Sequence, residues 1–417
     1  MKATTNVGTM STPAKLGLLG CLYFSQGLPF GFFTQALPVL LRKRGFSLGE
    51  IGLSSLLVVP WALKFLWAPA VDRHGFARVG RRKSWIVPLQ LAAVVVLALL
   101  APPVVSHSMP TLLAAIFLLN LLAATQDIAT DGLAIDMLAP AERGLGNGLQ
   151  VAGYRVGMIV GGGALLILHD RLGWSRTFLA MAALTALATV PIAAAREPAR
   201  PPASAHRPRG PHFLRRPGAG RLLLLLAAYK AGDAFATGML RPFLADAGLT
   251  LADIGWLLGT VGFVAGLLGA LAGGALVNRI GRRSSLTVFG LLQAASVAGY
   301  AVLALGKPGL AALYVLSAAE HFAGGMATAA LFTCMMDWCG PDTSATDYTV
   351  QASTVVIATA GAAAASGFSA QALGYFGHFC LATVLALGAV VAVRLLFPPS
   401  ASSSRLRGPT LEAAPCA

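Results

Sequence analysis

The feature that most constrains this chain is a series of apolar segments, each about 20 residues long, that recurs along almost its whole length. A helix of that length matches the thickness of the hydrocarbon core of a bilayer, and it satisfies its backbone hydrogen bonds internally. Only 11% of the residues are charged, whereas a soluble domain carries about 25%. We therefore predict an all-α membrane protein.

Twelve of these segments are predicted to be transmembrane helices, in two sets of six. They lie at residues 16–40, 51–71, 86–105, 110–137, 146–168 and 176–195, and at 221–245, 251–277, 284–305, 309–337, 347–371 and 377–397. Residues 1–195 and 221–397 would each form a six-helix bundle. The Pro-, Arg- and Gly-rich segment 196–220 is predicted to be a cytoplasmic linker, and residues 398–417 a disordered cytoplasmic tail. We expect no cleavable signal peptide.

The formal net charge is +15, and most basic residues lie in the loops between the spans. Because membrane proteins carry excess Lys and Arg on the cytoplasmic side, this charge gives no reason to expect a nucleic-acid partner. The same rule places both termini in the cytoplasm, although Arg42, Lys43 and Arg44 then fall in an outer loop. The five cysteines have neither zinc-ligand nor disulfide spacing, so we expect no metal and no cofactor.

The two halves of the chain repeat each other. GFSLGEIG at residues 45–52 returns as GLTLADIG at residues 248–255, an offset of 203 residues. An offset of 201 residues relates Asp136 to Asp337, Pro140 to Pro341, and Gln150 to Gln351. Two six-helix repeats around a central site are typical of secondary transporters.

Several motifs carry a family resemblance. The chain has VDRHGFARVGRR after the second span and VNRIGRR after the eighth, with SQGLPFGFFTQALPVLLRKRG, PWALKFLWAPAVDR, GRRKSW and QDIATDGLAIDML in the first half. Together with twelve spans, these motifs resemble those of the major facilitator superfamily. Within it they are similar to the AmpG-like permeases, which include muropeptide importers, acetyl-CoA transporters and siderophore importers. The resemblance implies a major facilitator fold of two pseudo-symmetric bundles, acting as a monomer in a bacterial inner membrane.

The segment TQDIATDGLAIDML, residues 125–138, places three aspartates in an apolar span. Each would cost roughly 2.5–3.5 kcal/mol at the centre of a membrane helix that faces lipid. Asp127 and Asp131 are four residues apart and share one helix face, whereas Asp136 lies on the opposite face near the end of the span. We therefore expect Asp127 and Asp131 to face the interior, and Asp136 to act at a gate.

Other polar side chains fall at similar depth in the predicted spans. A desolvated carboxylate beside a cation can take up and release a proton, so the candidates for proton coupling are Asp127, Asp131, Asp233 and Glu320. Cations and amides can hold a polar or anionic solute, so the candidates for solute binding are Gln26, Gln35, Lys64, Arg155, Lys230 and His321. We predict that both sets surround one hydrated cavity between the halves. The alternative is that they form structural ion pairs, Lys230 with Asp233 in particular.

The loop motifs predict a gate. The resemblance implies that charged residues close the cytoplasmic face, and the candidates are Asp72, Arg73, Arg81, Arg82 and Asp136 in the first half and Arg282, Arg283 and Asp337 in the second. Asp136 is the expected partner of an arginine in the first loop, and Asp337 of Arg282 or Arg283. The insertion HGFARV, and Asn278 in place of an acid, depart from the family pattern. The same cations would also set the topology.

These patterns predict a secondary active transporter that takes up a bulky polar or anionic solute together with protons by alternating access. The solute would be muropeptide-like or a siderophore. An exporter or an acetyl-CoA-type transporter of the same fold is the alternative. A membrane-embedded transferase is a distant one, because the sequence contains no HExxH motif. Pro29, within QGLPFG, is predicted to bend the first span.

Overall fold

The computed structural model describes residues 10–37, 57, 59–76, 78–102, 108–197, 212–306 and 309–398. Every regular element in these ranges is helical, which confirms the predicted all-α fold. Seven of the described helices are long and apolar enough to cross a membrane, by length and composition. Helices in the described ranges overlap all twelve predicted spans.

The N-terminal half contains helices α1 to α6. α1 spans Thr12–Gly31 and continues as a π-helix over Phe32–Ala36. α2 is described as Val59–Leu63, a 3-10 turn at Lys64–Leu66, and Ala68–Arg73. α3 spans Lys83–Leu99 and α4 spans Met109–Met137. α5 begins as Arg143–Ile159, passes through a π-helix at Val160–Ala164, and ends within the helix Leu165–Ala194, which bends at Gly173 so that Gly173–Ala194 is α6.

The C-terminal half follows a 3-10 turn at His212–Arg215. α7 comprises Ala219–Gly238 and Leu240–Asp246. α8 comprises Leu251–Ile254, a π-helix at Gly255–Gly262, and Phe263–Ile280. α9 spans Arg282–Leu303 and α10 spans Leu310–Asp337. The helix Ser344–Leu396 bends at Gly374, so residues 344–373 are α11 and residues 375–396 are α12.

The bend between α5 and α6 has the same backbone conformation as the bend between α11 and α12. Gly173 has φ 77° and ψ −179°, and Gly374 has φ 67° and ψ 173°. The two glycines are 201 residues apart, the offset that also relates Asp136 to Asp337. This conformation is essentially restricted to glycine, because a Cβ would clash with the backbone. The internal repeat is therefore visible in the backbone as well as in the sequence.

Glycines bring α1 and α5 into close contact. A Cβ on Gly157 would overlap the carbonyl oxygen of Phe24, and a Cβ on Gly31 would lie 2.6 Å from the Cα of Met158. Backbones approach this closely only where side chains are absent, and membrane helices gain packing energy from such contacts. Gly161 packs against the backbone of Leu28 in the same way.

The two halves meet where α5 packs against α8. A Cβ on Gly148 would lie 2.8 Å from the carbonyl oxygen of Ala270, and Gly144 packs against the backbone of Gly274. α5 therefore lies between α1 of its own half and α8 of the other half. Side chains that α5 projects at mid-membrane depth can reach both halves.

Helix boundaries differ from the prediction where a helix extends past its apolar segment. α3 begins at Lys83 and α5 at Arg143, each three residues before the predicted start, and α7 begins inside the predicted linker at Ala219. Helical hydrogen bonding continues beyond the lipid edge wherever the backbone is not interrupted. α1 stays helical through Pro29, and the π-helix Phe32–Ala36 lies just after it.

Some of the predictions fall outside the described residues. These are most of the linker (198–211), the tail from residue 399, the first copy of the repeated motif at 45–52, and the outer-loop cations Arg42, Lys43 and Arg44. The side chain of Gln35, a candidate for solute binding, also lies outside the described part of the chain.

Candidate functional site

The α2–α3 loop joins the two halves at the end of the bundle that is predicted to be cytoplasmic. The guanidinium of Arg82 is buried, and its Nη2 donates hydrogen bonds to Asp72 Oδ1 at 2.7 Å and to Ser344 Oγ at 2.9 Å. Asp72 Oδ2 accepts hydrogen bonds from the backbone N–H of Thr346 at 2.7 Å and from its hydroxyl at 2.5 Å. Because Ser344 and Thr346 belong to the first turn of α11, the Asp72 carboxylate lies at the positive end of that helix.

Asp136 completes this cluster. Its Oδ2 accepts hydrogen bonds from Arg81 Nη2 at 3.3 Å and Arg82 Nε at 3.4 Å, and its Oδ1 accepts one from Ser344 Oγ at 2.9 Å. Burial opposes ionisation of Asp72. The Arg82 guanidinium and the hydrogen bonds from Thr346 outweigh it, and they hold the pKa of Asp72 below its usual value.

The α8–α9 loop occupies the equivalent position in the second half, but its contacts differ. Asp337 Oδ1 accepts a hydrogen bond from Arg143 Nη1 across the halves, and Oδ2 accepts one from Arg282 Nε, each at 2.7 Å. Arg282 Nη2 also donates to the carbonyl oxygen of Pro140 at 3.0 Å. Asn278, which stands in place of an acid, donates to the backbone carbonyl of Ala141 in the α4–α5 loop.

Arg283, one of the predicted gate residues, lies away from these contacts. Arg283 Nη2 donates to the carbonyl oxygen of Arg394 at 2.6 Å, so of the two arginines proposed for Asp337 it is Arg282 that binds it. Arg73 is exposed beside Asp72.

Sequence reasoning missed several contacts at this end. Arg143 is one, and Glu197 at the end of α6 is another, because it accepts hydrogen bonds from the backbone N–H groups of Arg82 and Lys83 at 2.9 and 3.0 Å. Arg216 of the linker donates to Asp347 Oδ2 at 2.5 Å. One signal was present, since Glu197 is the only acidic residue within the predicted linker 196–220.

Glu142 joins the α4–α5 loop to the start of α1. Its carboxylate accepts hydrogen bonds from Lys15 at 2.9 Å, from the Thr12 hydroxyl and from the backbone N–H of Ala139. These hydrogen bonds lower the pKa of Glu142 to about 2. These contacts lie within the N-terminal half, whereas those of Asp72 and Asp337 join the two halves.

A first group of charged side chains lies in the N-terminal half. Lys64 of α2 forms a buried ion pair with Asp127 of α4. Asp131, one helical turn from Asp127, accepts hydrogen bonds on Oδ1 from the Tyr23 hydroxyl at 2.8 Å and from Gln150 Nε2 at 3.3 Å. Within the described residues this group contains two carboxylates and one ammonium, so it carries a net negative charge unless a proton is bound.

A second group lies in the C-terminal half. Lys230 Nζ and Asp233 Oδ2 are 2.7 Å apart on α7, and Lys230 also donates to the Thr328 hydroxyl at 3.3 Å. On α10, Glu320 Oε2 and His321 Nδ1 are 2.6 Å apart, and Glu320 is buried. These contacts are the local pairs that the alternative interpretation of the sequence described.

Arg155 of α5 lies at the contact with α8, on the side of the second group. Its guanidinium is 5.8 Å from the ring centroid of Phe263 on α8, and it lies against the backbone at Gly266. Glu320 and Asp233 are the carboxylates that interact with it electrostatically, at a longer distance than an ion pair. Arg155 forms no ion pair or hydrogen bond with any residue that the structure describes.

Gln26 of α1 is buried, and neither polar atom of its side chain has a hydrogen-bond partner among the described residues. The sequence predicted one cluster of candidates around one cavity. The structure groups the charged candidates instead as Lys64–Asp127 beside Asp131, Lys230–Asp233, Glu320–His321, and Arg155 between the halves. In the described ranges, no three His, Cys, Asp or Glu side chains are arranged to hold a metal ion.

Comparison with known proteins gives three findings. A sequence model described as the Major Facilitator Superfamily matches residues 19–240 and again residues 222–415. The anhydromuropeptide permease of Escherichia coli (strain K12) is 30% identical over 382 residues, which cover 90% of this chain and 78% of that protein.

The third finding concerns the fold alone. The crystal structure of the human organic anion transporter MFSD10 (TETRAN) has a TM-score of 0.69 at 16% identity and covers 92% of this chain and 100% of that one. The crystal structure of FucP, a Major Facilitator Superfamily transporter in the outward conformation, has a TM-score of 0.73 at 15% identity and covers 92% of this chain and 99% of that one.

Proposed function

This chain belongs to the major facilitator superfamily, and from that premise we propose that it is a proton-coupled importer of a muropeptide-like solute. Like its permease relatives, it is a multi-pass membrane transporter. It is not an enzyme. The solute we propose is an amino-sugar disaccharide that carries a short peptide with free carboxylates. The protein would act as a monomer in the bacterial inner membrane, with both termini in the cytoplasm.

The observation that carries this proposal is the position of Arg155. Arg155 is half-buried, and partial burial strengthens the attraction of a guanidinium for an anion. Arg155 lies where α5 meets α8, and no described carboxylate is close enough to form an ion pair with it. A carboxylate of the solute would supply the missing partner in a bidentate hydrogen bond.

Asp127 and Asp131 support coupling to protons. Two neighbouring carboxylates share one ammonium, Lys64, in a buried site. Like charges in such a site disfavour the state in which both are ionised, so one of the two is the proton carrier of the proposed cycle. Glu320 and Asp233 are the corresponding candidates in the second half.

The contacts of Asp72, Arg82 and Asp337 support alternating access. They join the halves at the predicted cytoplasmic end, so this conformation would accept solute from the opposite side. Proton and solute would bind there. The rearrangement that breaks the Asp72–α11 contact would then open the site to the cytoplasm.

Transport in membrane vesicles tests the coupling. Right-side-out vesicles should accumulate an anhydromuropeptide, and a protonophore should abolish the accumulation. Asp127→Asn and Asp131→Asn should each abolish accumulation while leaving equilibrium exchange of solute. Accumulation that persists without a proton gradient would rule out proton coupling.

Binding to the purified protein tests the solute. A thermal-shift screen should show stabilisation by an anhydromuropeptide, and none by acetyl-CoA or ferric siderophores. Arg155→Gln should remove the stabilisation, and Arg155→Lys should restore only part of it because an ammonium cannot bind a carboxylate in bidentate fashion. Arg241→Gln, at an exposed position, is the matched control and should bind as the wild type does. Stabilisation by a siderophore alone would overturn the solute assignment.

A further inference from the structure

Three aromatic rings meet beside the Lys64–Asp127 pair, and neither the gate nor the proton site uses them. The ring of Phe30 on α1 meets Trp61 of α2 edge-on at 5.5 Å and Tyr154 of α5 at 5.6 Å between centroids. The Lys64 ammonium lies over the Trp61 ring, 5.5 Å from its centroid. Rings and charges from four helices thus converge at one place.

The rings are held in fixed orientations. The indole Nε1–H of Trp61 donates to Asn120 Oδ1 at 3.0 Å, which fixes the plane of the indole. Gly27 and Gly31 of α1 pack directly on the α5 backbone at Tyr154 and Met158, which fixes Phe30 against Tyr154. A preorganised aromatic surface loses little conformational freedom when a ligand binds to it.

The rings also leave bonding capacity unused. Trp61 is buried, but Phe30 and Tyr154 are only half-buried. The Tyr154 hydroxyl makes no hydrogen bond with any residue in the described ranges, although the Asp127 carboxylate is close enough to interact with it electrostatically. Because Tyr154 is half-buried, a ligand can reach its hydroxyl and supply a hydrogen-bond partner.

Aromatic faces beside a few charged groups suit one class of ligand. A pyranose ring has an apolar face of C–H groups, which the negative face of an aromatic ring attracts, and an edge of hydroxyl groups. Asp127, Lys64 and the Tyr154 hydroxyl can accept from and donate to those hydroxyls, and mostly aromatic walls with few polar groups are typical of ligand sites. We propose that Phe30, Trp61 and Tyr154 form a saccharide subsite in the N-terminal half.

The chain order on α5 links this subsite to Arg155. Tyr154 and Arg155 are consecutive, so their side chains leave the helix about 100° apart at nearly the same depth. The Tyr154 side chain points to Phe30 and Trp61, and the Arg155 side chain points to Phe263 of the opposite half. A ligand with a sugar ring at one end and a carboxylate at the other can contact both. This inference rests on the proposed function, and it assigns the two parts of the solute to different halves of the transporter.

The test uses three probes with the purified full-length protein: an anhydromuropeptide, its disaccharide without the peptide, and the free peptide. Phe30→Leu keeps the apolar volume but removes the ring. It should weaken disaccharide binding by about fivefold or more, the usual effect of one aromatic contact, and leave peptide binding within about twofold. Arg155→Gln should do the opposite: it should weaken binding of the peptide and leave binding of the disaccharide within about twofold. Tyr154→Phe, which removes only the hydroxyl, should weaken the disaccharide alone.

Phe178→Leu is the matched control. Phe178 meets Phe32 edge-on and packs against Trp174 in the same half, away from Lys64 and Asp127, so its loss should lower stability without changing either binding constant. Unchanged muropeptide binding by Phe30→Leu, or equal weakening of both fragments, would show that the rings are only packing residues and would overturn the subsite. Failure of all three probes to bind the wild type would instead overturn the proposed function, and this subsite with it.

Discussion

Two glycines of α8 determine where charged side chains can lie at the centre of the molecule. A Cβ on Gly266 would overlap Nη1 of Arg155, and a Cβ on Gly262 would lie 2.7 Å from Nε2 of His321. Neither glycine has a positive φ, so the backbone there accepts alanine. A substitution would therefore act mainly through the neighbouring side chain.

Gly266→Ala should weaken binding of the anionic solute by about tenfold, because the added methyl group displaces the Arg155 guanidinium from α8. Titration of the solute into the purified protein would measure this change in affinity. Gly259→Ala on the same helix, where a Cβ would meet nothing within 4 Å, is the control and should bind normally. Equal weakening by both variants would contradict a role specific to Gly266.

The buried pair Lys64–Asp127 gives a prediction on stability. Removing one partner of a buried ion pair leaves an uncompensated charge, at a cost of about 3–5 kcal/mol. Lys64→Met should therefore lower the thermal unfolding temperature strongly, and the double variant Lys64→Met with Asp127→Asn should recover part of the loss. A double variant that is no more stable than Lys64→Met would argue against the pair.

Among the secondary-structure elements, the α2–α3 and α8–α9 loops join the halves through different kinds of contact. The Asp72 side chain is 5% exposed and binds the first turn of α11, whereas the Asp337 side chain is 24% exposed and binds arginines. Water and salt screen a partly exposed ion pair more than they screen a buried carboxylate at a helix N-terminus. We therefore expect the first half to supply the stronger closure.

Asp72→Asn should open the predicted cytoplasmic end more than Asp337→Asn does. A single cysteine at Ser344, in a background without the native cysteines, would report the opening through its labelling rate by a membrane-impermeant thiol reagent. High salt should raise the rate in the wild type only slightly, because the Asp72 contact is buried. Faster labelling in Asp337→Asn than in Asp72→Asn would reverse this ranking.

The Asp72 contact also predicts how closure depends on pH. The pKa of Asp72 is lowered in the closed state, so its contribution is fully present above its ordinary pKa and is lost only as pH falls through the lowered value. The labelling rate of the same cysteine, corrected for the rise of its thiolate fraction with pH, should not change between about pH 5 and pH 8. A rise in this corrected rate within that range would point to another titrating group.

For the whole molecule, the sequence was sufficient to predict twelve spans, two repeated halves and the family, because apolar length and internal repetition are properties of the chain alone. It was also sufficient to place Asp127 and Asp131 on one face, since helical spacing is local. It did not predict that Arg143 binds Asp337 or that Asp72 binds α11. Those contacts join residues that are distant in the chain, and only the packing of the halves decides them.

The halves should also move as units about the α5–α8 contact. Spin labels at Arg171 and Ala372, exposed and equivalent by the 201-residue offset, would lie near Gly173 and Gly374 at the far ends of the hairpins. Their separation should shorten in Asp72→Asn relative to the wild type, because opening one end closes the other. An unchanged distance would exclude rigid-body rocking.

The glycine bends at residues 173 and 374 have one more consequence. From Ser344 to Gly374 the chain is one continuous helix of about 45 Å at 1.5 Å per residue, long enough to cross the whole bilayer. This helix, α11, would act as a rigid lever. Its N-terminal turn contacts Asp72 and Arg82 at one surface, and its C-terminal end lies at the other surface. An antibody fragment bound between the bends at Gly173 and Gly374 would therefore keep the Asp72 contact at the opposite surface closed. It would stop transport without occupying the solute site.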